Sequence, residues 1–411
     1  MLINKKFKAS SLSNAIYVCI MISILSACLV LISHYQNLLN IKLEFTEKLI
    51  NVNEATSLLF SQNMGEKQYF NLYETDIFDN NILSISERKK WGFYDIMNIK
   101  TIHGNDTLSK SYLTSKSGSH DSNPILYLTD YDKVLKIGGE SKIRGKSIVP
   151  LGSIDLSFTS NQIKNNVEIS GLKLKSKDKL PKLKVNTDID VNKFELKSIE
   201  SIVTKTIINS FSNETLVFDI TGIPVLSGYT IKGNIILFSN NNISISDDNA
   251  IEDILIIADK VKFASYFSGN AQIIAKKEVI LEENTLLRYP SSIYAENDTD
   301  SINIYLKSKA KLAGSIILDG KSYEGSLKRK LIIDNGAKVY GSVYNYGKTQ
   351  LQGEIVGEIY TDRFFLKTKT QDYENIIVDG IISKENLPDG FVQLPLIDTL
   401  NINRYEIIKE F

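Results

Sequence analysis

The chain has 411 residues, 43% hydrophobic and 23% charged, with 48 Lys+Arg against 48 Asp+Glu and a formal net charge of zero. Such a chain has ample core and room for two or three domains, and its charge balance excludes a global basic field for nucleic acid and a strongly acidic tail. Seven prolines and 23 glycines are too few for a collagen-like or low-complexity polymer. The two cysteines, Cys19 and Cys28, share one apolar run and build neither a disulfide framework nor a cysteine zinc site. Three histidines (His34, His103, His120) leave little for histidine-based catalysis.

Residues 1–13 form a basic leader carrying Lys5, Lys6 and Lys8. From Ala15 to Ile32 follow eighteen residues without a charge, about 27 Å as a helix and close to the hydrocarbon thickness of a bilayer. The next cation is Lys42, so the charge bias predicts a cytoplasmic N-terminus and an extracytoplasmic remainder. Tyr35 sits where an interfacial aromatic belongs. A retained anchor with residues 14–33 in the lipid bilayer is the favoured reading, because a cleaved signal has a shorter apolar run ending in small residues. A lipoprotein start at Cys28, in Leu25-Ser26-Ala27-Cys28, and a cleaved signal are the competing readings. Leu38-Leu39, Ile41, Leu43, Phe45, Leu49-Ile50 and Leu58-Leu59 recur at three- and four-residue spacings, which predicts one helix over 14–63. Its apolar stripe packs on its own domain or on a partner helix, the former favoured.

Beyond residue 64 the pattern turns to β. A mixed β region is expected over 64–129, and Trp91 is expected as a core anchor there. Short runs rich in Ile, Val, Tyr and Phe recur, such as Ile254-Leu255-Ile256-Ile257-Ala258 and Ile302-Asn303-Ile304-Tyr305-Leu306. An approximate repeat of apolar-x-Gly-x-apolar units appears at Leu312-Ala313-Gly314-Ser315-Ile316, Val339-Tyr340-Gly341-Ser342-Val343 and Ile355-Val356-Gly357-Glu358-Ile359. This predicts a parallel β-solenoid over 225–370, begun over 130–224 with a small α+β insertion. An antiparallel sandwich is disfavoured by the scarcity of Asn-Gly and Asp-Gly turns. Within the insertion a helix is expected over about 190–211, with Phe194, Ile199, Ile202, Val203, Ile207 and Ile208 on one face. Residues 371–411, with Pro388 and Pro395, are expected to cap the last coil. The predicted class is mainly β, an N-terminal transmembrane helix followed by a β-helix.

Gly341-Ser342-Val343-Tyr344 and Gly357-Glu358-Ile359-Tyr360 resemble the repeated coils of bactofilin-type β-helices, which implies a scaffold. Lys8-Ala9-Ser10-Ser11-Leu12 and the apolar run after it resemble pseudopilin-like membrane proteins. That implies a single helix continuing into an extracytoplasmic β-rich head. Together they resemble an uncharacterised family of bacterial envelope proteins and imply envelope or pilus-assembly partners.

Candidate chemistry is sparse. Gly139 to Gly145-Lys146-Ser147 suggests a phosphate loop, but five residues separate the glycines where four are required, and Ile148-Val149-Pro150 opens no helix. Ser119-His120-Asp121 holds triad residue types, yet adjacent residues cannot face one another in the three roles. No histidine lies beyond His120, which argues against the histidine-based chemistry of β-helix acyltransferases. Asp247, Asp248, Asp253 and Asp259 form a local acidic group that reads as loop acids between strands, with catalysis of the pectinase-like kind or calcium binding as the alternatives. Lys173, Lys175, Lys177, Lys179, Lys182 and Lys184 put cations at mostly alternate positions. They read as a protected strand edge, or as a contact for acidic polysaccharide or lipid headgroups. No catalytic, cofactor-binding or metal-ligating residue is assigned. The function expected is a membrane-anchored structural or assembly component of the envelope, without catalysis or cofactor; the alternative is a carbohydrate-active or glycan-binding protein.

Overall fold

The computed structural model describes residues 10–63, 73–79, 81–116, 123–157, 166–185, 189–297, 301–320, 326–368, 371–397 and 405–411. The chain is mainly β, 51% of it strand, behind one long apolar helix, Ser10–Asn63. No glycine or proline interrupts that helix. Its hydroxyls bond back to the preceding turn, as Ser23 Oγ does to Cys19 O and Thr46 Oγ1 to Lys42 O.

An antiparallel sheet follows in the order Tyr73–Thr75, Leu83–Trp91, Tyr94–His103, Asp106–Lys116, with Tyr405–Glu410 added at its far edge. Its two central hairpins have two-residue turns that begin with Gly92 (φ +59°) and Gly104 (φ +58°). These Gly-x turns suit a two-residue hairpin whose first position needs positive φ. The scarcity of Asn-Gly and Asp-Gly turns therefore does not mean an absence of tight hairpins.

The remaining strands pair parallel and close around one core, apart from Asp372–Glu374, which pairs antiparallel with Phe365–Lys367. Ala271–Leu281 pairs through its first half with Leu286–Glu296 and through its second with Ile302–Leu306. The first branch continues to Lys311–Asp319, the second to Arg329–Ile333, and both rejoin at Lys338–Leu351. These six strands form a closed ring. In-register pairing makes columns, of which Ile256, Ile273, Ile293, Ile316, Val343 and Ile359 form one, each completely buried. Branched side chains suit such a column, since they fill a pleated face with few rotamers to lose.

The apolar-x-Gly repeat is also a column. Gly314, Gly341 and Gly357 are in register, at φ +148°, +128° and +154°. A Cβ on any of them would lie 2.0 Å or less from the carbonyl oxygen of the preceding rung. Only glycine fits.

Stacking order departs from chain order, which corrects three expectations. Leu126–Leu128 is bracketed by Glu354–Lys367 on one side and Ser147–Val149 on the other, and Lys173–Lys175 follows as the outermost rung. The chain then runs back along the side of the stack: Tyr127 and Tyr344 donate hydroxyl bonds to the carbonyls of Lys179 and Pro181. It restarts at the opposite end with Leu196–Ser198, paired to Leu216–Asp219, and grows back toward Leu126. Residues from 126 therefore belong to the same stack, and strands expected in the mixed β region and in the insertion are rungs of it.

The predicted helix over 190–211 is absent. Single turns of 3-10 helix at Val191–Lys193 and Ile199–Ser201 alternate with strands Leu196–Ser198 and Thr206–Asn209. Ile199 and Ile207 are drawn into the core while Val203 and Ile208 stay exposed, so ladder pairing overrides the helical spacing.

The C-terminal segment is no cap either. Ile376–Val378 pairs with Leu135–Gly138, and Ile381–Ser383 lies between Glu354–Lys367 and Lys142–Arg144, inside the stack. Residues 384–397, with both prolines, form a strap across its side, and Tyr405–Glu410 joins the antiparallel sheet.

Candidate functional site

The helix divides into three parts. Residues 12–33 are exposed throughout and contain the eighteen-residue apolar window that suits a membrane span. Residues 34–48, about 22 Å of helix, are also exposed, with Leu38, Leu39, Ile41 and Leu43 at half exposure or more, within a percent. The last part docks on the antiparallel sheet through Leu49, Val52, Asn53, Thr56, Ser57, Phe60 and Ser61, one face at three- and four-residue spacing. Packing on its own domain thus holds for the end of the helix, from Phe45, which stacks on His103 with ring centroids 5.1 Å apart, onward.

The docked face is more polar than the apolar stripe implies, and Leu58 and Leu59 lie on the open side. Asn53, wholly buried, donates through Nδ2 to Ile99 O (3.2 Å) and Thr101 Oγ1 (2.9 Å), and accepts from the Tyr112 hydroxyl (2.9 Å). Thr56 Oγ1 donates to Val52 O and lies 3.0 Å from Ser84 Oγ. Phe60 meets Met97, Ile99 and Tyr405, and Leu49 and Val52 meet Ile82. Such directed bonds fix the rotation of the helix, because a slip would strand buried polar atoms.

The sheet is in turn keyed to the parallel stack. Gln272 accepts from Phe93 N at 2.7 Å and donates to Trp91 O at 3.2 Å. The Tyr94 hydroxyl lies 3.2 Å from Ser292 Oγ, and burial raises its pKa to about 12, so it stays protonated. Trp91 is the buried anchor expected, edge-on to Phe211 with ring centroids 5.3 Å apart. Arg88 pairs with Asp95 inside the sheet and lies over the Tyr405 ring, 3.4 Å from its centroid. Helix, sheet and stack form one connected body.

The acidic residues do not converge. Asp248 accepts from the Ser227 hydroxyl, which holds its carboxyl below the usual range. Asp259 is held low by Lys277, which donates to it at 2.8 Å. Asp253, at φ +59°, accepts from Asn270 and pairs with Lys409 at 2.6 Å, tying the sheet to the stack. Asp247 lies exposed beside Ser246. Among the described residues no group of three His, Cys, Asp or Glu side chains could hold a metal ion. Gly139 and Gly145 are positive-φ positions around the strand Lys142–Arg144, and Gly145 faces Ile125, so the phosphate-loop pattern is a structural bend. Ser119, His120 and Asp121 lie outside the described residues. A cleft of about 100 Å³ between sheet and strap is lined by Lys90, Asp95, Lys116 and Lys184, well short of the usual size of a small-molecule site.

Sequence reasoning missed Asn53 and Tyr112. The only signal was a polar residue at a docked-face spacing. No known family model, curated protein or solved structure matches this chain.

Proposed function

We propose that this chain is a single-pass, membrane-anchored structural or assembly component of a bacterial envelope, with its N-terminus cytoplasmic and its β head outside. The carrying observation is the helix: an apolar span, then an exposed apolar stalk, rigidly keyed into the head by Asn53 and Thr56. An apolar stripe left uncovered over residues 38–43 suits helical neighbours in an assembly. The cation bias of the leader supports the orientation. On this reading the parallel ladders are the coils of a β-solenoid, with the glycine column at its corners, and the pseudopilin and bactofilin resemblances point the same way. The glycan-active alternative lacks a converging set of acids, since each aspartate of 247–259 has its own partner.

Intact mass and N-terminal sequencing of protein recovered from membranes test the anchor. A start at or near Met1 supports it; a lipidated start at Cys28, or a mass lacking the helix, overturns it. A cut near residues 10–14 would keep the helix and mark pilin-type processing. Replacing Leu38 and Ile41 by Glu tests the assembly role. It is expected to release the partners isolated with the wild type while the head keeps its denaturation midpoint. Retention of the same partners would remove that role.

A further inference from the structure

The parallel stack has two ends. At one, Lys173–Lys175 and Glu168–Ser170 pair on one side only among the described strands; at the other, Leu196–Ser198 and Thr206–Asn209 do so. Unpaired N–H and C=O groups flanked by apolar side chains invite addition of another strand. Both ends have such side chains exposed, Leu172 and Leu174 at the first, Leu196 and Ile208 at the second. The stack is parallel and in register, so the first end of one copy is a natural continuation of the second end of another.

The column of buried isoleucines decides whether that continuation forms. From Ile256 it runs through Leu237 and Phe218 to Lys197. From Ile359 it runs the other way through Leu126 and Ser147 to Lys173. Every residue between the two lysines is buried, and both lysines are exposed. One core column thus begins and ends on a cation. Lys175 adds a second cation at the first end, opposite fully buried Val149.

We infer that Lys173 and Lys197 close the two ends of the stack against a second copy of this chain. Head-to-tail addition in continued register sets Lys173 of one copy against Lys197 of the next, one rung or about 4.8 Å apart. Both ammonium groups would be desolvated by the same contact, and neither gains an acid from the column. Inward-pointing charge on terminal strands is a known protection against edge-to-edge growth. Here it acts at both ends of one column, so each end rejects the other. The inference concerns the head and does not depend on the membrane reading.

The test uses the full chain in detergent, with Cys19 and Cys28 replaced by Ser. Leu174→Cys and Ser198→Cys form the reporter pair, since register continuation brings these two positions together across copies. The parent is expected to give little cross-linked ladder. Lys173→Leu with Lys197→Leu should raise it at least about tenfold, and Lys173→Glu, which leaves Lys197 an opposite charge, should raise it in a salt-sensitive way. Lys173→Arg, which keeps the charge, should behave as the parent. Cross-linking already strong in the parent overturns the inference. So does unchanged cross-linking in Lys173→Glu when its circular dichroism matches the parent, a control that holds even if the double leucine variant misfolds.

Discussion

Single residues here are held by directed polar contacts more than by bulk burial. Asn53 bonds Ile99 O, Thr101 and Tyr112 from within a helix, so Asn53→Ala removes three hydrogen bonds from a buried polar cluster. It is expected to cost about 2–4 kcal/mol, read as a lower denaturation midpoint of the full chain in detergent. Glu358 is a second case. Burial holds its carboxyl above the ordinary range, against the pull of Lys384, 3.6 Å away, and of the Ser342 hydroxyl. Its native pKa is raised, so the native state binds more protons than the unfolded chain between the ordinary and the raised values, and stability falls as pH rises through that window. Glu358→Gln should flatten this dependence. Denaturation midpoints measured upward from about pH 4 check it, and an unchanged slope in the variant would sink the assignment.

At the scale of elements, the glycine column sets the spacing of the rungs. A Cβ on Gly341 would lie 2.0 Å from Gly314 O, at a φ of +128°. Gly341→Ala is expected to cost roughly 3 kcal/mol or more, because rigid backbone must move. Gly104→Ala is the control: φ is +58° but nothing lies within 4 Å, so about 1 kcal/mol is expected from conformation alone. Chemical denaturation of the two variants compares them, and equal losses would mean that the close approach is not what requires glycine. The repeat of glycines was legible in the sequence because a steric demand leaves one residue type. The helix expected over 190–211 shows the opposite. Leu196 and Ile207 suit a helical face and a ladder equally, and only the neighbouring rungs Leu216–Asp219 and Thr230–Gly233 select the ladder.

For the whole molecule, the decisive feature is that the C-terminal segment closes the stack from inside. Ile381–Ser383 joins Glu354–Lys367 to Lys142–Arg144, and Tyr405–Glu410 completes the antiparallel sheet. Deleting residues 371–411 should therefore loosen the rungs from Leu126 to Lys175 and the sheet edge while leaving Leu216–Asp319 protected. Hydrogen exchange on the truncated chain reads this directly; uniform protection, or uniform loss, would contradict it. The sequence by itself determined the properties that depend on near neighbours or on one residue type. These are the uninterrupted apolar helix, the β-rich remainder, the glycine positions and the lysine-bearing edge at 173–175. Tertiary structure alone decided the stacking order, the strap, the place of the C-terminal strands, the polar docking face of the helix and the meeting of Lys173 and Lys197 in one column. The physical reason is that rungs of Ile, Val and Leu are nearly interchangeable as partners. Which rung stacks on which is settled only when the whole core closes around them.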